Sequence, residues 1–139
     1  MKVMLDTNVL IDVFQKREPF CLPAARALSL AVDNRVDGVI ASHSFTTVHY
    51  VLRKTAGLKM AGWVIDWLLD RFEVASMDAA SLRRARQSAQ SDFEDAIIGD
   101  LASRERCAFI LTRDPKGYRG STIEAIDPAR FMERWKAGL

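Results

Sequence analysis

Short apolar runs and helical stripes alternate along this chain. Residues 3–5 are all apolar and stop at Asp6. A run that brief reads as a buried strand. Behind it, Val9, Leu10, Val13 and Phe14 recur at helical spacing and predict a helix over 7–14, broken by Arg17-Glu-Pro19. A second helix is predicted over 22–36, with Pro23 in its first turn, where proline is tolerated. Asp37-Gly38 reads as a turn and residues 39–41 as a second strand. Residues 42–55 read as helical despite several β-branched side chains, and Gly57 closes that helix. Met60, Trp63, Val64, Trp67 and Leu68 then fall on one face of an amphipathic helix. A third strand is predicted over 72–75, a helix with a basic face over 79–90 and another helix over 93–104. Residues 108–111 form an almost wholly apolar fourth strand, which places it centrally. A short edge strand over 122–125 and a last helix from Pro128 to Lys136 complete the pattern.

Strands alternating with helices imply an α/β fold: a mostly parallel sheet of four or five strands with helices on both faces. No repeat, low-complexity tract or linker interrupts the chain, so residues 1–139 read as one domain. The 139 residues are 49% hydrophobic and 27% charged, which is ordinary globular composition. A net charge of +2 is too small to argue for nucleic acid by itself, so a basic surface has to come from clustering. Cys21 and Cys107 lie far apart and read as reduced thiols rather than a metal pair. No apolar run approaches the roughly 18 residues of a membrane span. Asp6 cuts the first apolar run too early for a signal peptide. The reading is a cytoplasmic protein with no membrane partner.

The candidate chemistry lies in the acids. A strand that ends at an acid and turns into a helix puts that carboxylate at the carboxyl edge of the sheet, where open α/β folds bind ligands. Asp6 fits this description, and it fits a plain helix N-cap equally well. Asp92 and Asp95 share a helix face. Ser91 and Glu94 resemble a capping box, and acids in a first turn also favour the helix dipole. Three acids in four residues exceed what a cap needs. Asp114 follows the most apolar strand and precedes Pro115, an ordinary turn pair. If the first and fourth strands are neighbours, Asp6, Asp95 and Asp114 converge. Such a cluster is costly without a cation. Oxygen donors without His or Cys select Mg²⁺ or Mn²⁺, ions that commonly serve phosphoryl transfer.

Three blocks in this order, LDTNVLID, SDFEDAIIGDLA and FILTRDPKGY, resemble the PIN domain, the metal-dependent ribonuclease domain of many VapC-like toxins of toxin–antitoxin pairs. The resemblance spans Lys2 to about Phe131. It implies a three-layer α/β/α sandwich with strand order 3-2-1-4-5, which sets strands one and four side by side. It implies Asp6, Asp95 and Asp114 as catalytic and metal-holding acids, and Asp92 as an additional acid of one branch. Asn8 and Thr112 match polar positions that support the acids. One departure stands out: many members carry a glutamate on the helix after strand two, and Thr47 occupies that place here. The haloacid dehalogenase family also opens with a strand and an acid, but it needs a second aspartate where this chain has Asn8.

Arg113, Lys116 and Arg119 flank Asp114 and read as candidate phosphate-binding cations or as a solvated turn. Arg83, Arg84 and Arg86 read as a solvated helix face. His43 and His49 read as structural residues rather than proton shuttles. The Trp63/Trp67 stripe reads as core or as a self-association surface. The sequence thus points to a Mg²⁺/Mn²⁺-dependent endoribonuclease acting on RNA, the toxin of an antitoxin pair and a homodimer. Its rival is a non-catalytic RNA- or partner-binding module with a degenerate metal site, which Thr47 favours.

Overall fold

The structure is a computed structural model that describes all residues, Met1–Leu139. Its centre is a five-stranded sheet in the order β3-β2-β1-β4-β5. The strands are β1 (Lys2–Leu5), β2 (Asp37–Ala41), β3 (Glu73–Ala75), β4 (Phe109–Leu111) and β5 (Glu124–Ile126). Every pairing is parallel. The helices are α1 (Thr7–Phe14), α2 (Cys21–Val32), α3 (Ser42–Ala56), α4 (Leu58–Arg71), α5 (Ala79–Gln87), α6 (Phe93–Arg104) and α7 (Pro128–Lys136). The α/β class and the strand order are those expected from the sequence.

Alternation along the strands builds two cores. Val3, Leu5, Ile40, Phe109 and Leu111 face one way, against apolar residues of α1, α2, α3, α4 and α7. Met4, Val39, Ala41 and Ile110 face the other way, against Ala85 of α5 and Ala96, Ile97, Ile98 and Leu101 of α6. The sheet is therefore covered on both faces, which explains why its strands read as continuous apolar runs. Burying each large side chain stabilises by about 2 kcal/mol, and this holds β1 and β4 together at the centre. Both strands leave the sheet at the same edge. There β1 turns towards α1 and β2 on one side, while β5 lies beside β4 on the other. That reversal makes a crevice at the carboxyl ends of β1 and β4.

Several boundaries differ from the sequence reading. The second helix stops at Val32 rather than 36, because Asn34 takes a left-handed conformation (φ 57°) that ends it. Asp37-Gly38 is not a turn: it pairs with Lys2 and Val3 in the sheet. Gly38 serves close packing instead, since a Cβ there would lie 2.5 Å from the Phe72 ring and 2.9 Å from Ala31. The basic helix ends at Gln87, and the edge strand begins at Glu124. In α4 the buried residues are Ala61, Val64 and Leu68, so Met60 and Trp63 turn outward. No helix is long and apolar enough to cross a membrane.

Candidate active site

Asp6 is the first residue after β1, and its backbone N–H donates to Leu111 O at 2.9 Å, tying it to the end of β4. It stands at the N-cap of α1 but makes no side-chain cap hydrogen bond. The carboxylate turns instead to Thr112, whose hydroxyl donates to Asp6 Oδ2 at 2.7 Å. Thr112 is fully buried and serves as a hub. Its oxygen accepts from the Asp114 N–H at 3.2 Å and from Asn8 Nδ2 at 3.4 Å. Asn8 Oδ1 in turn accepts from the Arg113 N–H at 3.2 Å. Asn8 and Thr112 thus fasten the loop after β4 to the start of α1 and set the orientation of Asp6. Burial, at 5% exposure, pushes the Asp6 carboxyl above its usual range, and the Thr112 hydroxyl only partly offsets this.

Packing of α6 on Met4 and Ile110 carries its N-terminus to the same edge. Asp92 is the cap residue: its Oδ1 accepts from the Asp95 N–H at 2.9 Å. The cap is Asp92 rather than the Ser91–Glu94 box considered from sequence, since the helix begins at Phe93. Such a cap contributes about 1 kcal/mol. One turn in, Asp95 has its carboxyl pushed up to about 7. Burial is the main cause, followed by the charges of Asp6, Asp92 and Glu94. Asp95 also lies against the next loop, where a Cβ on Gly117 would fall 2.5 Å from its Oδ2. Glycine at 117 is what leaves room for that carboxylate.

Four neighbours were not offered by the sequence as site residues: Glu94, read there only as a cap partner, Thr7, Ser44 and Tyr118. Glu94 stands at the rim, its Oε1 3.5 Å from the Thr7 hydroxyl and 3.6 Å from His43 Nε2. The Thr7 and Ser44 hydroxyls are 2.7 Å apart and buried. Tyr118 ends the 3-10 turn Pro115–Tyr118 and is buried. Burial and the charges of Asp6 and Asp95 raise its phenol far above the ordinary range, so it keeps its proton. A signal for Tyr118 existed in the chain, because it follows Gly117 in the loop after the most apolar strand.

Other candidates fall elsewhere. Asp114 is exposed, contributes its backbone N–H rather than its carboxylate to this network, and is not among the charges that shift Asp6 or Asp95. No three His, Cys, Asp or Glu side chains are gathered closely enough to chelate one ion as they stand. Thr47 is half-buried; one turn earlier on α3, Ser44 is the residue bonded to Thr7. Arg113 is engaged: its Nε lies 3.1 Å from buried Asp12 Oδ2 and its guanidinium stacks on Phe20 at 4.8 Å. Lys116 and Arg119 are exposed on the same loop. Arg84 grips Asp100 with two bonds of 2.6 and 3.0 Å, while Arg83 and Arg86 face solvent. Cys21 and Cys107 are unpaired thiols.

The sequence and the fold have known counterparts. The chain is 29% identical to Ribonuclease VapC1 of Aquifex aeolicus, over 96% of this chain and 95% of that protein. Among solved structures it resembles VapBC2 from Rickettsia felis bound to a promoter DNA fragment, with a TM-score of 0.70 at 19% identity, covering 91% of this chain and 98% of that one. It also resembles VapC20 from Mycobacterium tuberculosis, a Sarcin-Ricin loop cleaving toxin, with a TM-score of 0.70 at 13% identity over 88% and 97% of the two chains. The PIN domain family profile matches residues 2–116, most of the chain and all of the acids described above. The chain therefore belongs to the PIN domain family.

Proposed function

We propose that this protein is a Mg²⁺- or Mn²⁺-dependent endoribonuclease, the toxin of a toxin–antitoxin pair, working as one domain over residues 1–139 in the cytoplasm. The observation that carries the reading is the juxtaposition of Asp6 and Asp95 in the crevice between β1 and β4, with Asp95 pushed up to about 7. A buried and a half-buried carboxylate that cannot both ionise cheaply are a natural seat for a divalent cation. The donors are all oxygen, which suits a hard ion, so the residues fit the group. Asp6 and Asp95 would hold it, with Glu94 and Asp92 adding charge from the rim and Asp114 from the exposed loop. When bound, such an ion activates water and neutralises charge on a phosphodiester.

The chain's own residues supply the rest. Thr112 and Asn8 fix Asp6, and the cap made by Asp92 fixes the first turn of α6 and with it Asp95. Lys116 and Arg119 offer exposed positive charge for RNA phosphates, a sequence-independent contact. Arg113 braces the loop on Asp12 and positions those two cations. The relatives support the partners of this reading: one is named a ribonuclease and one was solved as a VapBC assembly. An antitoxin protein and a second copy of this chain are the partners we assign.

Asp95→Asn tests the reading. The variant should retain its circular dichroism spectrum and lose Mn²⁺-dependent RNA cleavage; undiminished cleavage overturns it. A second reading, a non-catalytic RNA- or partner-binding module, is favoured by Thr47 and by the absence of a preformed trio of ligands. Mn²⁺ separates the two: a working site gains thermal stability with added ion by mass action, and a decayed one does not.

A further inference from the structure

Tyr118 carries a hydroxyl where the packing alone asks only for a ring. Its side chain belongs to the core formed with Met4, Ile97 and Ile110, and the residue is 4% exposed. A phenylalanine would fill that space equally well. The hydroxyl lies beside the carboxylates of both Asp6 and Asp95, yet it completes hydrogen-bond geometry with no partner. A buried hydroxyl without a partner is costly and calls for an explanation. The neighbouring residue sharpens the point. Gly117 lets Asp95 Oδ2 come within 2.5 Å of where a Cβ would stand, so the Pro115–Tyr118 turn closes directly over the acid pair.

We propose that Tyr118 is a positioning residue of the cation site: its phenolic O–H donates to the Asp6/Asp95 pair and holds the two carboxylates so that their remaining lone pairs converge on one divalent ion. The inference rests on the reading of the acid pair as a cation site. A phenol suits the task because it donates one hydrogen bond while adding no charge to compete with the cation. Thr112 already holds Asp6 from the β4 side. Tyr118 supplies the matching donor from the far end of the same loop, so one segment after β4 orients both sides of the site. Groups that orient metal ligands in this way commonly change affinity tenfold or more when removed.

The test compares wild type with Tyr118→Phe by two measurements. The first is Mn²⁺ titration by calorimetry. The variant should bind about tenfold more weakly, with the melting temperature of the metal-free protein unchanged; equal affinity overturns the inference. A loss of affinity that merely follows a lower melting temperature also overturns it, since that is what a packing role gives. The second needs no metal. The chain has two tyrosines, so the wild-type minus variant difference in the Raman tyrosine doublet isolates Tyr118. A strong-donor signature supports the inference, and the signature of a phenol that donates to nothing overturns it. If wild type takes up no Mn²⁺, the cation reading itself fails, and the Raman difference still decides whether Tyr118 serves the acid pair.

Discussion

In the metal-free protein Asp95 titrates near neutrality, and this has a measurable consequence for stability. Its carboxyl is raised from an ordinary 3.8 to about 7. Between those values the unfolded chain has lost the proton and the folded chain still holds it. Stability therefore falls as pH rises from about 4 to about 7 and is flat on either side. Asparagine cannot ionise, so Asp95→Asn removes this slope. At pH 8 without metal the variant should be the more stable protein, by about 1–2 kcal/mol once solvent screening of a partly exposed group is allowed for. Urea denaturation at pH 5 and pH 8 measures it. Parallel pH dependence in the two proteins would show that Asp95 bears no such burden. At this scale Asp6 and Asp95 were legible because a strand end and a helix start are visible in the pattern of apolar residues. Tyr118 was not. Its place beside the acids depends on how closely the loop after β4 approaches α6, and no local periodicity encodes that distance.

Elements were read best where an N-cap aspartate or a proline marks the first turn. The limits of α1, α6 and α7 agree with the sequence, each starting beside an aspartate or proline that favours a first turn. Two of the differences share one physical cause, tertiary packing overriding a local signal. Gly38 looked like a turn residue and is required by the Phe72 ring. Arg113 looked like a free cation and is half of a buried ion pair between α1 and the loop after β4. Asp12 is 1% exposed and its carboxylate depends on that guanidinium. Burial raises the Asp12 carboxyl, and Arg113 opposes the rise. Arg113→Ala should therefore destabilise the fold by about 3 kcal/mol at pH 7, the usual cost of stranding a buried charge. The loss should shrink at pH 5, where Asp12 can take up a proton. Chemical denaturation at the two pH values checks this. An Arg113→Ala protein as stable as wild type would return Arg113 to the cations proposed to meet RNA phosphates.

At the scale of the whole molecule, the α/β class follows from alternating strands and helices and the strand order from the family resemblance, but the surface on which a second copy would dock follows from neither. The sequence grouped Trp63 with Trp67, and the structure separates them. Trp67 packs edge-on to Phe14 at 6.0 Å and against Phe72 at 6.1 Å, so it belongs to the core between α1 and α4. Trp63 is 58% exposed, and Leu58, Met60 and, on the adjoining α3, Tyr50 are also exposed. Large apolar side chains left outward on packed neighbouring helices are the kind of surface that a partner covers. A single exposed tryptophan is the usual energetic anchor of such an interface. The second copy of this chain proposed above should therefore dock through α3 and α4 with Trp63 at the centre. Wild type should sediment as a dimer at micromolar concentration and Trp63→Glu as a monomer. The melting temperature of the monomeric variant should change little, because Trp63 contributes little to the protomer's own core. Trp67→Glu, by contrast, should unfold the protein rather than dissociate it. A monomeric wild type, or a Trp63→Glu protein that remains dimeric, would place the interface on another face.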